Sequence, residues 1–351
     1  MKFFKFNRLY NYIYILDIIL CMKYQSILSD KVQCEICPRK CKLTDGQSGF
    51  CYVRKNKGGK IVLESYGYNT GLAIDPVEKK PLYHFIPSSK VLSFGTLGCN
   101  MGCLFCQNWH TTKQKLPVEE CNPTSPEDIV NIAKHYNCES VAFTYNDPIC
   151  FFEYAIDTAK LCKKNDIKTI AVTSGYMNME PAKEFFNCMD GANIDLKGFS
   201  ETFYSKNCLA HLLPVLDVIK YAVNETDCFV ELTTMLIEDE NDYLITKECE
   251  WILENLGDCV PLHLSAFFPK FKFSDRQPTR QETLIKAYNI AKNMGLKYVY
   301  TGNIRDVKTS TTYCKNCGEK LVIRDGYQII ENNITNGVCP KCHTSCEGVF
   351  L

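Results

Sequence analysis

The chain has no excess of charge of either sign, no internal repeat and no low-complexity tract. Its 351 residues contain 40 lysines and arginines and 40 aspartates and glutamates. A balanced charge provides no global field that would draw the protein toward nucleic acid or an anionic membrane. We therefore expect a small-molecule or protein substrate and neither nucleic acid nor a membrane as a partner.

A convincing membrane span is also missing from the sequence. Residues 1–22 begin with basic positions before an apolar run, which superficially resembles a signal peptide. Asp17 interrupts the run, no small-residue cleavage site follows, and the stretch is too short and too polar to cross a bilayer. We interpret residues 1–22 as an extension or a misassigned start, with Met22 as the alternative start, and expect a cytoplasmic protein.

Cysteine, in contrast, is abundant, with 22 residues in the chain. Three groups stand out: an N-terminal cysteine group of Cys34, Cys37, Cys41 and Cys51; a central group of Cys99, Cys103 and Cys106; and a C-terminal cysteine group of Cys314, Cys317, Cys339 and Cys342, with Cys346 spare. Thiols only two or three residues apart are poor disulfide partners, and close-set groups in an intracellular protein usually bind zinc or iron-sulfur. Most other cysteines, such as Cys162 and Cys228, lie in apolar stretches and are predicted to be small buried hydrophobes.

Strand-like apolar runs alternate with helical patterns from residue 90 onward. The predicted strands are 91–94, 140–144, 169–172, 192–195, 229–233, 262–265 and 298–300. This alternation predicts an α/β fold with a parallel sheet, and the number of units is too small for a complete eight-stranded barrel. We therefore predict a partial (β/α)6 barrel.

Local signals place the ends of the intervening helices. Predicted starts are Ser125-Pro126, Asp147-Pro148 and a capping box at Thr279-Arg-Gln-Glu282, and predicted ends are Gly257 and Gly295. In the last helix, Leu284, Ala287, Tyr288 and Ala291 share one stripe, which is typical of a helix packed on a sheet.

The domain organisation follows from where this alternation is found. Residues 90–304 are predicted to form the barrel. Residues 23–89 and 305–351 lack the alternation and hold the outer cysteine groups, so we predict small modules ordered by metal, an N-terminal cysteine-rich one and a C-terminal zinc-ribbon-like one.

The central group lies in residues 95–109, GTLGCNMGCLFCQNW, directly after the first predicted barrel strand. Three thiolates ligate only three irons of a 4Fe-4S cluster and leave the fourth iron open. The amino and carboxylate groups of S-adenosylmethionine (SAM) can chelate an open iron, and one electron from the reduced cluster then releases a 5′-deoxyadenosyl radical. A loop at the carboxyl end of a barrel strand is also the usual place for an active site. The alternative is a zinc knuckle or ferredoxin-type segment with a fourth ligand elsewhere, Cys121 being the nearest spare thiol.

At this motif the sequence resembles radical SAM proteins, and more narrowly the AmmeMemoRadiSam-system radical SAM enzymes, relatives of pyruvate formate-lyase activating enzyme. The resemblance covers nearly everything after Met22. It rests on the following segments: CEICP at 34–38 with Cys41 and Cys51, IDPVEKKPLYHF at 74–85, the central motif, YNDP at 145–148, DLKGF at 195–199 and YCKNCG at 313–318.

The resemblance implies which residues contact SAM. In the family the loop after the second strand holds the SAM amino group, a role that falls here on Tyr145, Asn146 and Asp147. Ribose and carboxylate contacts fall on the TSGY segment with Ser174 and on Asp195 and Lys197. The alternative explanation for Asp147-Pro148 is structural: an aspartate that caps a helix, followed by proline at the first helical position.

Two positions depart from the family pattern. Ser174 stands where the family commonly has asparagine, and its shorter side chain changes that contact. Ala266 stands where relatives usually carry arginine, so any role of that arginine is absent. His84 and His263 lie near motif residues, but a lone histidine is more often structural, and neither is assigned as an acid or base.

The outer cysteine groups have different spacings. The C-terminal group has two CxxC pairs, which fits a four-cysteine zinc ribbon of structural or partner-binding role. The N-terminal group is looser, and the number of thiolates alone leaves zinc and iron-sulfur both open.

These observations lead to one main functional hypothesis and two alternatives. The main hypothesis is a radical SAM enzyme of the AmmeMemoRadiSam system that binds a 4Fe-4S cluster, SAM and zinc. Its substrate is unknown, its electron donor is of the flavodoxin or ferredoxin type, and Memo-like and AMMECR-like proteins are candidate partners. The alternatives are a glycyl-radical enzyme activase and, from another class, a zinc-binding adaptor protein.

Overall fold

The structure is a computed structural model that describes residues 23–350. Our interpretation of residues 1–22 as an extension or misassigned start therefore lies outside the described residues. The strands in chain order are β1 (Gln25–Ile27), β2 (Val32–Cys34), β3 (Lys42–Leu43), β4 (Arg54–Lys57), β5 (Lys60–Leu63), β6 (Tyr68–Asn69), β7 (Leu72–Pro76), β8 (Lys90–Phe94), β9 (Asn122–Pro123), β10 (Ser140–Phe143), β11 (Lys168–Thr173), β12 (Gly191–Asp195), β13 (Phe229–Leu236), β14 (Leu262–Ala266), β15 (Val299–Gly302), β16 (Thr312–Tyr313), β17 (Lys320–Asp325) and β18 (Gln328–Asn332).

The longer helices follow the barrel strands. They are α1 (Pro126–His135), α2 (Phe152–Lys163), α3 (Met179–Phe186), α4 (Leu212–Asn224), α5 (Ile245–Asn255) and α6 (Gln281–Met294). Short helical turns cover Val77–Lys79, Trp109–Thr112, Val118–Glu120, Pro148–Phe151, Glu201–Phe203, Tyr204–Cys208, Asp242–Leu244, Phe271–Phe273 and Val307–Ser310.

The described residues form a central sheet of eight strands in the order β15, β14, β13, β12, β11, β10, β8, β7. Strands β8 and β10 to β15 run parallel. Strand β10 is buried at every position, as expected for a strand covered on both faces. The predicted α/β fold with a partial (β/α)6 barrel is confirmed, because six strand-and-helix units precede the last parallel strand, β15.

Strand β7 extends this sheet from the region before the barrel. It pairs antiparallel with β8, with Leu72 opposite Phe94 and Pro76 opposite Lys90. Its one fully buried residue, Asp75, accepts hydrogen bonds from the ammonium groups of Lys79 and Lys80. A short strand with a buried carboxylate has no apolar pattern that a sequence reading would detect. The domain boundaries proposed above stay predictions. Strand β7 belongs to the segment 23–89, yet it pairs with β8 and forms the edge of the barrel sheet.

The helix signals were correct in most places and wrong in one. Ser125 and Asp128 form a capping box at the start of α1, and Gly295 ends α6 with a φ of 116°. The capping box predicted at Thr279 is wrong: α6 begins at Gln281, and Arg280 precedes it without a side-chain cap. The Thr279 hydroxyl instead donates to Leu236 O and accepts from Phe267 N, so it joins two barrel loops.

Two smaller modules pack against the barrel. Strands β1 to β3 form one sheet and β4 and β5 a hairpin, while β16 to β18 form a three-stranded sheet near the C-terminus. The buried guanidinium of Arg54 in β4 forms an ion pair with Glu153 of α2. The buried guanidinium of Arg324 in β17 donates to Tyr83 O, 2.6 Å away. Each module is thus attached to the barrel through a buried arginine.

Within residues 23–350, no helix combines the length and the apolar character needed to cross a bilayer.

Candidate active site

The central group, Cys99, Cys103 and Cys106, lies in the loop that leaves β8 at its carboxyl end; we call them the catalytic cysteine group and the catalytic loop after their predicted role. Cys99 and Cys103 are buried and Cys106 is half-buried. All three line a cavity of about 340 Å³, within the range of ordinary small-molecule sites. The cavity opens among the carboxyl ends of the parallel strands, where barrel active sites are found.

All residues that the sequence reading assigned to the catalytic cluster and SAM line this one cavity. They are Cys99, Cys103, Cys106, Tyr145, Asn146, Asp147, Ser174, Asp195 and Lys197. Cys121, the spare thiol considered as a fourth ligand, is not among the lining residues.

Asn146 holds the catalytic loop in place. Its amide oxygen accepts from Thr96 N at 2.9 Å, and its amide nitrogen donates to Thr96 Oγ1, Leu97 O and Gly98 O at 3.1, 3.2 and 2.8 Å. All of these groups are buried away from water, so each of them would be left without a hydrogen-bond partner if Asn146 were removed. Asn146 is therefore a positioning residue for the loop in this structure.

The opposite side of the loop is held by the Tyr204–Cys208 turn. Gly102 N donates to Cys208 O at 2.8 Å, and Leu104 N donates to Asn207 O at 2.9 Å. The loop is thus held on one side by Asn146, which follows β10, and on the other by the Tyr204–Cys208 turn, which follows β12. Together these bonds keep the three thiols in one arrangement.

Asp147 joins the ends of two neighbouring strands. Its carboxylate accepts from Thr173 Oγ1 at 3.0 Å, from Ser174 N at 2.8 Å and from the Ser174 hydroxyl. Burial and the nearby Cys99 thiolate raise the pKa of Asp147 to about 6, although the Ser174 bonds oppose this. The serine that departs from the family pattern is therefore a hydrogen-bond partner of Asp147.

Tyr145 takes a left-handed backbone conformation, with a φ of 71°. Its carbonyl accepts from Asn108 Nδ2 at 2.7 Å, and its ring lies 5.3 Å from the Lys80 ammonium group. The turn at Tyr145 connects β10 to Asn146 and Asp147 and so directs both toward different loops.

Asp195 and Lys197 form an ion pair of 2.7 Å at the end of β12. Burial would lower the pKa of Lys197, but the Asp195 carboxylate and the Cys103 thiolate outweigh it, so the pKa lies above its ordinary value. Lys197 therefore carries a positive charge beside the cavity.

Three residues that the sequence reading did not single out lie close to the catalytic thiols. Asn100 N, next to Cys99, donates to the Cys150 thiol at 3.0 Å, and Gly102 N, next to Cys103, donates to Cys208 O at 2.8 Å. Hydrogen bonding by the Cys150 and Cys208 thiols and the charge of the Lys113 ammonium group hold the pKa values of Cys99 and Cys103 below the ordinary thiol value despite burial. Cys150 and Cys208 are buried as predicted, like Cys162 and Cys228, but nothing in their local sequence indicates that they contact the site.

The far end of the cavity is polar. The His263 ring donates from Nε2 to the buried Glu231 carboxylate at 2.6 Å. One atom each of Glu78, Asn193 and Thr233 (Oε2, Oδ1 and Oγ1) is buried without a hydrogen-bond partner among residues 23–350, and all three residues line the cavity. Buried polar atoms without partners are uncommon, and here they surround a space that a ligand can fill.

Two further positions considered in the sequence, Ala266 and His84, are not among the residues that line the cavity. Ala266 is buried at the end of β14, and its carbonyl accepts from Asn303 Nδ2 at 3.0 Å. His84 is buried between the barrel and the C-terminus, with Nδ1 donating to Glu347 O at 2.6 Å, so it has a structural role.

The C-terminal cysteine group closes tightly on itself. Its four sulfur atoms lie within 4.8 Å of one another, with 3.5 Å between Cys314 and Cys342 and 3.7 Å between Cys317 and Cys339. Four thiolates bonded to one tetrahedral ion at the usual Zn–S length are about 3.8 Å apart. The group can hold a metal ion.

The N-terminal cysteine group lies on the other side of the catalytic loop. Its four thiols line a second, smaller cavity together with Asn100 and Cys150. The group is free of disulfides, as are the other cysteines of residues 23–350.

Comparison with known proteins agrees with this site. A family model described as the radical SAM superfamily matches residues 94–252, which include the catalytic cysteine group and every residue assigned to SAM. An uncharacterized protein of Methanocaldococcus jannaschii is 39% identical over 327 residues, covering 92% of this chain and 96% of its own. A second uncharacterized protein of that organism is 24% identical over 284 residues, 76% of each chain.

Among solved structures, a domain of pyruvate-formate lyase-activating enzyme from Bacteroides vulgatus ATCC 8482 is similar to part of the chain. The TM-score is 0.42 and the identity 20%, over 47% of this chain and 99% of that one.

The chain belongs to the radical SAM superfamily and is an enzyme of that class. Membership implies a 4Fe-4S cluster and SAM, and it decides against the zinc adaptor alternative.

Proposed function

We propose that Cys99, Cys103 and Cys106 hold the 4Fe-4S cluster and that SAM binds beside it in the same cavity. The observation that carries this proposal is that one cavity is lined by the three thiols and by all six residues assigned to SAM. The donor set fits the group, because three thiolates on one loop leave a coordination position for SAM. When bound, the reduced cluster and SAM supply a 5′-deoxyadenosyl radical that abstracts hydrogen from a substrate.

The chain's own residues hold and orient these groups. Lys197 and Lys113 place positive charge beside the thiolates, which favours the deprotonated ligands that metal binding requires. Asp195 with Lys197 orients the SAM carboxylate and ribose. Asn146 and Asp147 act chiefly by positioning the loops on which the thiols and Ser174 lie, and Tyr145 borders the SAM amino group.

The substrate occupies the far end of the cavity, beside His263 and the unpartnered atoms of Glu78, Asn193 and Thr233. The motifs shared with the AmmeMemoRadiSam-system enzymes support assignment to that system, with Memo-like and AMMECR-like proteins as companions. A cytoplasmic location and a flavodoxin or ferredoxin as electron donor follow from the same resemblance and from the unpaired thiols of the described residues.

The C-terminal cysteine group holds zinc in this proposal. Its sulfur separations match those around one tetrahedral ion, and four thiolates without an open position are typical of a structural zinc site.

The first test is anaerobic reconstitution followed by mass spectrometry for 5′-deoxyadenosine after addition of dithionite and SAM. We expect the native chain to form 5′-deoxyadenosine and Cys103→Ala to form none, because loss of one of three thiolates removes the cluster. Cys162→Ala is the matched control, since Cys162 is a buried thiol remote from the cavity. Retained SAM cleavage in Cys103→Ala would contradict the assignment of the site.

A further inference from the structure

The N-terminal cysteine group surrounds a cavity and does not close on itself. The cavity has a volume of about 20 Å³, and it is lined by all four thiols. One water molecule needs about 10–15 Å³, so the four thiols surround an open space of at least the size of one water molecule. Three of the four thiols, those of Cys34, Cys37 and Cys51, are buried, and Cys41 is half-buried at the rim.

The contrast with the C-terminal cysteine group is informative. Of the residues in 23–350, the C-terminal group is the one whose ligand atoms all lie within 4.8 Å of one another. The N-terminal thiols are spread around a space, as are those of the catalytic group around theirs. A cluster of several irons and sulfides lies between its thiolates, whereas a zinc ion draws four thiolates together. The arrangement of the N-terminal thiols is thus the one that suits a cluster.

The two cysteine groups meet at Cys150. This buried thiol lines the N-terminal cavity together with Cys51. It also accepts from Asn100 N at 3.0 Å, so the catalytic loop itself forms part of the second cavity's wall. The two cavities therefore border the same loop, because Asn100 lines one of them and its neighbours Cys99 and Met101 line the other.

Packing keeps this contact close. A Cβ atom at Gly98 would lie 1.9 Å from Cys51 O, so only glycine fits between the catalytic loop and the N-terminal module. Arg39, whose Nε donates to Asn100 O, connects the same two segments. The distance between the groups is thus set by direct contact and not by a flexible linker.

The charge of the surroundings suits a cluster with four thiolates. Arg39 and Arg54 both line the N-terminal cavity, and Arg54 is 2% exposed. Positive charge beside buried thiolates offsets part of the free energy that their desolvation costs. Both guanidinium groups thus favour an anionic metal centre in this cavity, with Arg54 also held in place by its ion pair with Glu153.

We propose that the N-terminal cysteine group holds a second iron-sulfur cluster, which passes one electron to the catalytic cluster across the contact at Cys150. A low-potential protein donor of the ferredoxin or flavodoxin class loses one electron, and the N-terminal cluster gains it. The same electron then reduces the catalytic cluster, and the N-terminal cluster returns to its oxidised state. No covalent bond forms or breaks in this transfer. The electron-transfer step rests on the proposed function, whereas the second cluster does not.

The presence of the cluster is tested by iron and sulfide analysis after anaerobic reconstitution, together with electron paramagnetic resonance of the reduced protein. We expect about eight iron atoms in the native chain and about four in either Cys41→Ala or Cys103→Ala. Cys41 is chosen because it is half-buried, so its loss changes little packing. Cys121→Ala is the matched control, a half-buried thiol outside both groups, and it should keep the native iron content.

The electron path is tested by the rate at which the catalytic cluster's resonance signal appears. With a reduced flavodoxin as donor, we expect Cys41→Ala to be slower than the native chain by at least an order of magnitude. With dithionite, a small reductant that reaches the catalytic cluster directly, the two proteins should give similar rates and similar 5′-deoxyadenosine yields. The thermal unfolding of Cys41→Ala is measured alongside that of the native chain, and similar midpoints are expected if the barrel remains folded.

Three results would overturn the proposal. Zinc in place of iron at the N-terminal group, or an iron content of only about four atoms in the native chain, would refute the second cluster. Equal rates with flavodoxin in the native chain and Cys41→Ala would leave the cluster but refute its role in electron transfer. If the native chain held both clusters yet never cleaved SAM, the proposed function would fail while the second cluster stood.

Discussion

At the scale of single residues, Gly98 limits how the catalytic loop meets the N-terminal module. Its φ is 76°, and a Cβ atom there would lie 1.9 Å from Cys51 O. Gly46 has nearly the same φ, 77°, but a Cβ atom there would have no atom of residues 23–350 within 4 Å. Substituting alanine at both positions therefore distinguishes the cost of backbone strain, which both share, from the cost of a steric clash, which only Gly98 has.

We expect Gly46→Ala to lower the free energy of unfolding by about 1 kcal/mol, the lower end of the strain for a non-glycine residue in this conformation. Gly98→Ala should cost several times more and should also reduce the iron content, because the loop must move away from Cys51. Anaerobic denaturant titration and iron analysis of both variants are the measurements. Equal losses in the two variants would show that the contact with Cys51 is unimportant.

Single residues also show where sequence reading reaches its limit. The spacing of Cys99, Cys103 and Cys106 predicts an iron-sulfur loop by itself, and the structure lines one cavity with all three. Cys150 and Asn146 are different, because each acts on residues about 50 positions earlier in the chain. The sequence around a cysteine in an apolar segment does not show whether its side chain contacts a leucine or another thiol in the folded protein.

At the scale of secondary structure, helix α5 carries a buried carboxylate against the barrel. Glu248 is 1% exposed and accepts a hydrogen bond from the Thr234 hydroxyl of β13. Burial raises the pKa of Glu248 from 4.5 to about 8, and the Thr234 bond only partly opposes this. In the folded protein at neutral pH, the group therefore keeps its proton.

The sign of the resulting pH dependence follows from linkage. The unfolded chain releases this proton near pH 4.5 and the folded chain near pH 8, so the contribution of Glu248 to stability is complete below 4.5 and is lost as pH rises toward 8. Glu248→Gln keeps the shape and has no proton to lose. We expect it to raise the free energy of unfolding by a few kcal/mol near pH 8 and to have little effect below pH 4.5.

Denaturant titrations at several pH values check this prediction, with Glu250→Gln as the control on the exposed face of the same helix. Parallel stability profiles for the native chain and Glu248→Gln would show that Glu248 does not keep its proton.

Elements also differ in how well their boundaries are encoded. Helix α1 begins where Ser125 and Asp128 cap it, because both bonds are local. Strand β7 was not predicted, since its pairing with β8 joins two segments that meet only in the folded sheet. At Thr279 the tertiary bonds to Leu236 and Phe267 replace the local cap.

At the scale of the whole molecule, the C-terminal module is tied to the segment that borders the cavity. Arg324 donates to Tyr83 O, and Ile86 N donates to Val349 O at 2.6 Å. Tyr83 itself lines the catalytic cavity. Loss of order in the C-terminal module should therefore also disorder the segment around Tyr83, which lines the active-site cavity.

We expect removal of the C-terminal metal in Cys317→Ala to speed hydrogen exchange in residues 314–342 and also in residues 83–86, while β10 to β12 stay protected. Hydrogen exchange measured by mass spectrometry is the test. Cys188→Ala, a half-buried thiol outside the three cysteine groups, is the control and should leave exchange unchanged. Faster exchange confined to residues 314–342 would contradict the coupling.

The sequence by itself determined the parallel barrel, the loop that carries the catalytic thiols and the existence of two outer cysteine groups. Each of these is written in a local pattern: apolar periodicity for strands and helices, and short spacing for ligands that share a metal. Only the tertiary structure decided that the two outer modules attach through different segments of the chain, that Cys150 lines the N-terminal cavity and bonds the catalytic loop, and that Asn146 holds that loop. These contacts join residues that are distant along the chain, and packing of the whole sheet, not local pattern, sets which of them meet.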